Sequence, residues 1–198
     1  MKNNQTGTVQ VKFLVFIVIL CAASLVVFSK LQHKKQVNAM ISQIASLGAT
    51  VARQSTHAYQ IAEKYKGNYA LFLRQTNNLP AGLSYVGEAI NISNNAKVNA
   101  TLDTNGVVIL EVSNLDTNSC VKIATTNWGS RKTTQFVGVG IGEAPDFSCL
   151  AANNCKFNYI AAFSGTADYP FTVERAEIPC SLSEKAKQPA TVYLGYKL

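Results

Sequence analysis

The sequence predicts an α+β fold in which a long N-terminal α-helix packs on a mostly antiparallel sheet in a disulfide-bonded head. Three observations support this fold class: an uncharged apolar segment at residues 13–29, a one-sided apolar stripe after it, and alternating segments separated by turn residues in the second half. A chain of 198 residues accommodates one such helix and one globular domain. We therefore expect a leader at residues 1–7, the helix at residues 8–54 and the head at residues 55–198.

The apolar segment lies between Lys12 and Lys30 and carries no charge. As a helix, residues 13–29 would cover roughly 25 Å, slightly less than the ~30 Å hydrocarbon core of a bilayer. The terminal lysines can reach the interface and cover the difference. We expect an uncleaved transmembrane anchor; the alternatives are a cleaved signal peptide and a buried core helix. No small-x-small cleavage site follows the segment, which disfavours the signal peptide.

An amphipathic stripe continues the helix beyond this anchor. Its members, which recur at intervals of three or four residues, are Val37, Ile41, Ile44, Gly48 and Val51. No proline occurs before Pro80, so nothing in the sequence forces a break. The sequence thus predicts one helix with a membrane half and an amphipathic half, and two helices joined near residues 34–35 are the alternative. The stripe is the predicted assembly face, through which the helix packs against other helices.

The net charge of +7 is concentrated near the N-terminus. Residues 1–35 contain five lysines and no acidic residue, whereas the rest of the chain contains 13 basic and 11 acidic residues. The head is therefore almost neutral, and no basic surface interleaved with aromatic residues is predicted. We exclude nucleic acid as a partner and expect the basic flanks to lie at a membrane.

Four cysteines in the head, Cys120, Cys149, Cys155 and Cys180, predict two disulfides and an oxidising compartment. Four cysteines allow three pairings. Their short separation favours Cys149–Cys155 as one pair, which leaves Cys120–Cys180 as the other. A zinc site is not expected, because the spacing contains no Cys-x-x-Cys pair and no nearby histidine. No other metal and no cofactor is predicted.

The head is predicted to begin with helices and to continue as a sheet. Gly67 divides a helical region at His57–Asn78, and Asn105-Gly106 forms the turn of a hairpin. A short helix follows at Asp116–Thr125, with Asp116 or Ser119 as its cap. The other predicted strands are Thr134–Ile141, Phe157–Phe163, Phe171–Ile178 and Ala190–Tyr196. Six residues could form an adhesive patch but are expected to pack in the core or on the sheet instead: Trp128, Gly129, Tyr159, Tyr169, Tyr193 and Tyr196.

In this order of segments the chain resembles a type IV pilin, most closely the PilS-like branch of type IVb. Two stretches carry the resemblance: Lys66–Gly82, an aromatic short helix that ends in a Leu-Pro turn, and Val112–Thr125, a cysteine-bearing helix. The resemblance implies a pilin-like head in which Cys120 pairs with Cys180. It also implies a structural subunit of a pilus-like filament or its assembly machinery, with other pilin subunits and the inner membrane as partners.

The resemblance further implies cleavage of the leader between Gly7 and Thr8 by a prepilin peptidase. The protein would be a single-pass bacterial inner-membrane protein with its head in the periplasm, and would become extracellular on assembly into a pilus. Its surface receptor is unknown from the sequence. The alternative is a single-pass inner-membrane protein whose periplasmic binding domain is never incorporated into a filament.

Lys12 departs from the pilin pattern, which carries a glutamate shortly after the processing glycine. In that family the glutamate neutralises the N-terminal amine of a neighbouring subunit. A lysine instead offers that amine a like charge in a low-dielectric bundle, which opposes packing. This anomalous charge favours a minor pilin over a major subunit.

No enzymatic activity is predicted. The head has no histidine after His57 to act as a base, and it has no Gly-x-Ser-x-Gly motif. Glu174 and Glu177 lie three residues apart in a predicted strand, so they are expected on opposite faces rather than as a catalytic pair.

Overall fold

The structure is a computed structural model, which describes residues 5–54, 58–130, 132–147, 149, 160–167 and 169–198. Within its helices, the side chains of residues 5–14, 20–23, 26, 58–59 and 184 lie outside this description. The chain divides into two compact units, Met1–Asn38 and Ala39–Leu198, which are considered separately below. Helix α1 (Gln5–Arg53) contributes residues to both units.

The predicted fold class is wrong in its N-terminal helix. Among the described residues, no helix combines the length and the apolar character needed to cross a membrane. From Val27 onward, α1 carries Lys30, Lys34 and Lys35, and charges of this kind are costly to place in hydrocarbon. A single long helix packed on the sheet is not shown either, because only the residues of α1 from Ala39 onward belong to the unit that contains the sheet.

A 3₁₀ turn lies at Ser93–Asn95, and four further α-helices have both of their ends in the described part of the head. They are α2 (Ala58–Lys64), α3 (Tyr69–Gln75), α4 (Thr117–Ala124) and α5 (Val173–Lys185). Asn68 caps α3, because its Oδ1 accepts a hydrogen bond from the Leu71 N–H at 2.8 Å. Asp116 caps α4 in the same way, accepting from the Ser119 N–H at 2.7 Å. The predicted division of the 57–78 region at Gly67 and the predicted cap at Asp116 are both confirmed.

The described residues form one seven-stranded sheet in which every neighbouring pair is antiparallel. The strands are β1 (Ser84–Val86), β2 (Ala89–Asn91), β3 (Lys97–Leu102), β4 (Val107–Leu115), β5 (Phe136–Ile141), β6 (Ala161–Phe163) and β7 (Ala190–Lys197). Their order across the sheet is β1-β2-β3-β4-β7-β5-β6. The predicted hairpin with its turn at Asn105-Gly106 is the β3–β4 pair.

The strand predicted at Phe171–Ile178 is wrong, because Val173–Ile178 lie in α5. Glu174 and Glu177 are therefore three residues apart on a helix and not on opposite faces of a strand. The β-branched side chains of Val173 and Ile178 favour a strand by local propensity alone. In the folded head, however, Ala176 and Cys180 lie four residues apart and are both fully buried, which is the spacing of one helical face. Tertiary packing of that face therefore decides the local structure.

Two apolar cores lie on opposite faces of the sheet. Alternate residues of β4 point in opposite directions, so Val108 and Leu110 join the larger core whereas Val107 joins the smaller one. The described helices contribute only to the larger core, with side chains such as Ile44 and Leu47 of α1. The smaller core consists of Val107, Val137, Phe147, Ala161 and Phe163.

The predicted disulfide between Cys120 and Cys180 is present and joins α4 to α5. Its S–S distance is 2.01 Å, and its two Cα atoms are 5.9 Å apart. Both cysteines are fully buried in the larger core. Cys155 lies outside the described residues, so the predicted Cys149–Cys155 pair stays a prediction.

Candidate functional site

The predicted processing site lies where the structure describes no side chains. Gly7, Thr8 and Lys12 fall in the first residues of α1, and their side chains are outside the described part of the chain. Cleavage between Gly7 and Thr8, and the effect of the Lys12 charge on packing, therefore stay predictions.

The predicted assembly stripe is divided by the structure. Ile44 and Val51 are fully buried in the head's own larger core, and Ile41 is half-buried beside it. Gly48 is buried against Tyr196 of β7. Val37 belongs to the N-terminal unit and is not part of this cluster. A role for the stripe in contacts with other subunits stays a prediction, and the side chains around it need separate consideration.

Many exposed apolar side chains lie in the N-terminal unit. Val18 is 66% exposed and Phe28 is 59% exposed, although both are large hydrophobic residues. We call this set the exposed apolar surface; its members are Val15, Phe16, Ile17, Val18, Ile19, Leu25, Val27, Phe28 and Leu31. Groups of exposed large apolar side chains commonly mark sites of interaction with other proteins or with membranes.

The head carries a separate concave site between α1 and the loop that joins α4 to β5. Its volume is about 430 Å³. We call it the aromatic groove, because Trp128 and Tyr196 form part of its wall. Its other lining residues are Ile41, Ala45, Gly48, Ala49, Ala52 and Arg53 of α1, and Thr126, Asn127, Thr133 and Thr134 of the loop.

Two hydrogen bonds hold Trp128 in this wall. Its indole Nε1–H donates to the Ile123 carbonyl oxygen at 3.0 Å, and its backbone N–H donates to the Tyr169 hydroxyl oxygen at 2.7 Å. Burial raises the pKa of Tyr169 to about 12, although the hydrogen bond from Trp128 acts in the opposite direction. The ring of Tyr169 lies 5.3 Å from that of Phe136, which is in turn 5.4 Å from the ring of Tyr196. The groove wall is therefore one connected aromatic cluster.

Gly48 allows Tyr196 to reach the surface of α1. A Cβ atom at position 48 would lie 2.5 Å from Cζ and 2.6 Å from the hydroxyl oxygen of Tyr196, which is too close for any side chain. Tyr196 is only 3% exposed, and burial raises the pKa of its hydroxyl, with a further contribution from Tyr169. Its hydroxyl makes no hydrogen bond to any described residue. The groove wall thus includes a hydroxyl that is hydrogen-bonded to no described residue.

Arg53 is the charged member of the groove lining. It lies in the last turn of α1, and its guanidinium forms no ion pair with the described residues. The local charge of the groove is therefore positive. Asn127 adds a polar group at the rim, where its Oδ1 accepts a hydrogen bond from the Gly129 N–H at 3.0 Å.

A larger groove of about 570 Å³ lies between α4 and α5. Its lining includes both a cation, Lys122, and an anion, Glu177, together with Val121 and Ile178. This mixture selects no particular ligand chemistry. The described residues also contain no cluster of three acidic, histidine or cysteine side chains that could hold a metal ion.

Sequence reasoning did not identify the aromatic groove. The sequence pattern that could have indicated it is a set of small residues at helical spacing next to the predicted stripe: Ala45, Ala49 and Ala52. Of the aromatic residues expected to pack internally, Trp128 and Tyr196 are buried, Tyr169 and Tyr193 are half-buried, and Tyr159 lies outside the described residues. Their position beside a cavity depends on long-range contacts that spacing does not reveal.

Comparison with known proteins gives no relative for this chain: no protein-family model, no curated protein and no solved structure matches it.

Proposed function

We propose that this protein is a structural subunit of a pilus-like filament of the type IVb kind, or of its assembly machinery, in a minor rather than a major role. The observation that supports the proposal is the exposed apolar surface of α1. Large hydrophobic side chains gain about 25 cal/mol for each Å² that they remove from water, so this surface favours association with other apolar surfaces. Helices of neighbouring subunits are the partners that the proposal requires.

The head supports the location that the proposal implies. A buried disulfide, Cys120–Cys180, is typical of proteins that fold in an oxidising compartment. We therefore place the head in the periplasm of a bacterium before assembly and on the cell surface afterwards. In this role the head is a rigid body that the filament displays.

A double substitution in the exposed apolar surface tests this role. Phe28→Asp with Leu31→Asp adds two charges on one face of the helix, because the residues are three positions apart. We expect wild-type protein in fibres sheared from the cell surface and at least a tenfold loss of the variant from those fibres. Gln32→Asp is the matched control, because it adds a charge at an exposed polar position in the same turn and should leave incorporation unchanged.

Two measurements accompany this comparison. The emission of Trp128 reports whether the head of each variant remains folded. The mass of the mature N-terminus should show cleavage between Gly7 and Thr8. Wild-type protein that is absent from fibres and retains Met1 would overturn the proposal.

A second candidate function is a periplasmic binding protein that never enters a filament. The aromatic groove favours it, because concave sites with aromatic walls and few polar groups commonly bind small ligands. Wild-type protein that stays monomeric and is absent from sheared fibres would favour this candidate over the filament subunit.

A further inference from the structure

The aromatic groove has the dimensions of a ligand site. Its volume of about 430 Å³ falls within the range of about 300–1,000 Å³ that is usual for sites of small molecules. The helical wall is formed by small side chains, Ala45, Ala49 and Ala52, so the space beside the aromatic wall is left open. The site belongs to the head alone and does not depend on filament assembly.

The groove wall is fixed before any ligand arrives. Trp128 has both of its N–H groups engaged, one by Ile123 and one by Tyr169. Tyr196 is held between Gly48 and the ring of Phe136. A preformed wall lowers the conformational entropy that binding would cost.

The polar groups of the groove select the chemistry of the ligand. The Tyr196 side chain is only 3% exposed and lines the groove, and its hydroxyl has no hydrogen-bond partner among the described residues, so an oxygen of a ligand could accept a hydrogen bond from it. Arg53 supplies a cation without a described counter-ion, and a guanidinium matches the paired oxygens of a carboxylate or sulfonate. Trp128 and the alanines offer only apolar surface to the rest of the ligand.

We propose that the aromatic groove binds a small free molecule that combines an apolar aromatic or aliphatic body with one carboxylate or sulfonate group. The apolar body lies against Trp128 and Ala49. The anionic group pairs with Arg53, and an oxygen of the ligand accepts a hydrogen bond from the Tyr196 hydroxyl.

The sequence supplies its own reporter, because Trp128 is the single tryptophan of the chain. The full chain is titrated with 8-anilinonaphthalene-1-sulfonate, an aromatic sulfonate, while the emission of Trp128 is recorded. The Ala49→Phe and Ala39→Phe variants described below separate binding in the groove from binding elsewhere on the chain. We expect a saturable change in Trp128 emission that decanoate or benzoate reverses by competition.

Three variants test the assignment of residues. Ala49→Phe fills the groove from an exposed helical position and should weaken probe binding at least tenfold. Ala39→Phe is the matched control, because Ala39 is also exposed on α1 but does not line the groove, and it should bind as the wild type does. Arg53→Gln should weaken binding of the anionic probe by about three- to tenfold, because the charge-assisted contact with Arg53 is lost. It should leave the uncharged probe N-phenyl-1-naphthylamine unaffected.

The proposal fails if Trp128 emission does not respond to the sulfonate. It also fails if Ala49→Phe and Ala39→Phe bind equally. If Ala49→Phe does not fold, the Arg53→Gln variant provides the test. An equal loss of affinity for the charged and the uncharged probe would contradict the proposal that Arg53 binds an anionic group.

Discussion

Helix α1 contains two stretches whose large apolar side chains differ in solvent exposure. In residues 39–53, Ile44, Leu47 and Val51 are fully buried in the larger core of the head. In residues 15–31, the described large apolar side chains are exposed, as Phe28 illustrates at 59%. The earlier stretch is mostly apolar, whereas the later one is apolar on one face, and that face packs in the core of the head. The later stretch therefore contributes to the stability of the head, whereas the earlier one offers its surface for association.

Removal of the Cys120–Cys180 disulfide should give the largest effect and sharpen this comparison, because the bridge constrains the head only. Its cysteines are 60 residues apart, and a loop of that length contributes about 4 kcal/mol to the free energy of unfolding. We expect the double variant Cys120→Ala, Cys180→Ala to lose about this amount in chemical denaturation. If the variant protein folded but no longer associated through residues 15–31, the two stretches of α1 would not have separate roles in stability and association.

Matched leucines in the two stretches provide a more direct test. Leu47 is fully buried and Leu31 is 54% exposed. Leu47→Ala should lower the unfolding free energy of the head by about 3 kcal/mol, because it leaves a cavity in the core. Leu31→Ala should change it by less than about 0.5 kcal/mol. Equal losses in urea denaturation would contradict the comparison.

Gly48→Ala should lower the unfolding free energy of the head by an intermediate amount. The added methyl would overlap the Tyr196 ring, and overpacking of this kind costs about 1–3 kcal/mol. Ala45→Gly is a useful counterpart on the exposed side of the same helix, where the loss is helix propensity of about 1 kcal/mol. A Gly48→Ala variant as stable as the wild type would show that Tyr196 does not occupy the surface of α1.

Alkaline pH should also lower the stability of the head, and only of the head. Burial raises the pKa of Tyr169 from 10.0 to about 12, so the unfolded chain releases this proton at a lower pH than the folded chain. The unfolding free energy should therefore decrease as the pH rises from about 10 to about 12. Tyr169→Phe should reduce that slope. Residues 15–31 contain no tyrosine, and their association should not follow this titration.

Local patterns predicted most of the head. The Asn105-Gly106 turn, the Asp116 cap and the alternation in β7 each depend on residues close together in sequence, and all three are confirmed. The Phe171–Ile178 strand failed because the burial of Ala176 and Cys180 against distant elements decides that segment. The membrane half of α1 was predicted from apolar composition and is contradicted among the described residues.

The candidate site was less accessible to sequence reasoning. The pairing of Cys120 with Cys180 followed from spacing and resemblance, and it is present. The aromatic groove combines α1, the loop at Trp128 and a residue of β7, which are far apart along the chain. Contacts of that range carry no local periodicity, so the alanines of α1 were the only sign of it.

The position of β7 has a consequence for how the protein is made. Although β7 comes last among the strands in sequence, it lies between β4 and β5 and pairs with both. The strands β1–β4 and β5–β6 therefore remain two separate groups with open edges until Ala190–Lys197 is available to pair with both. A chaperone that covers those edges would protect the nascent chain, and a transcript shortened before codon 190 would yield a polypeptide with two unpaired templates for aggregation.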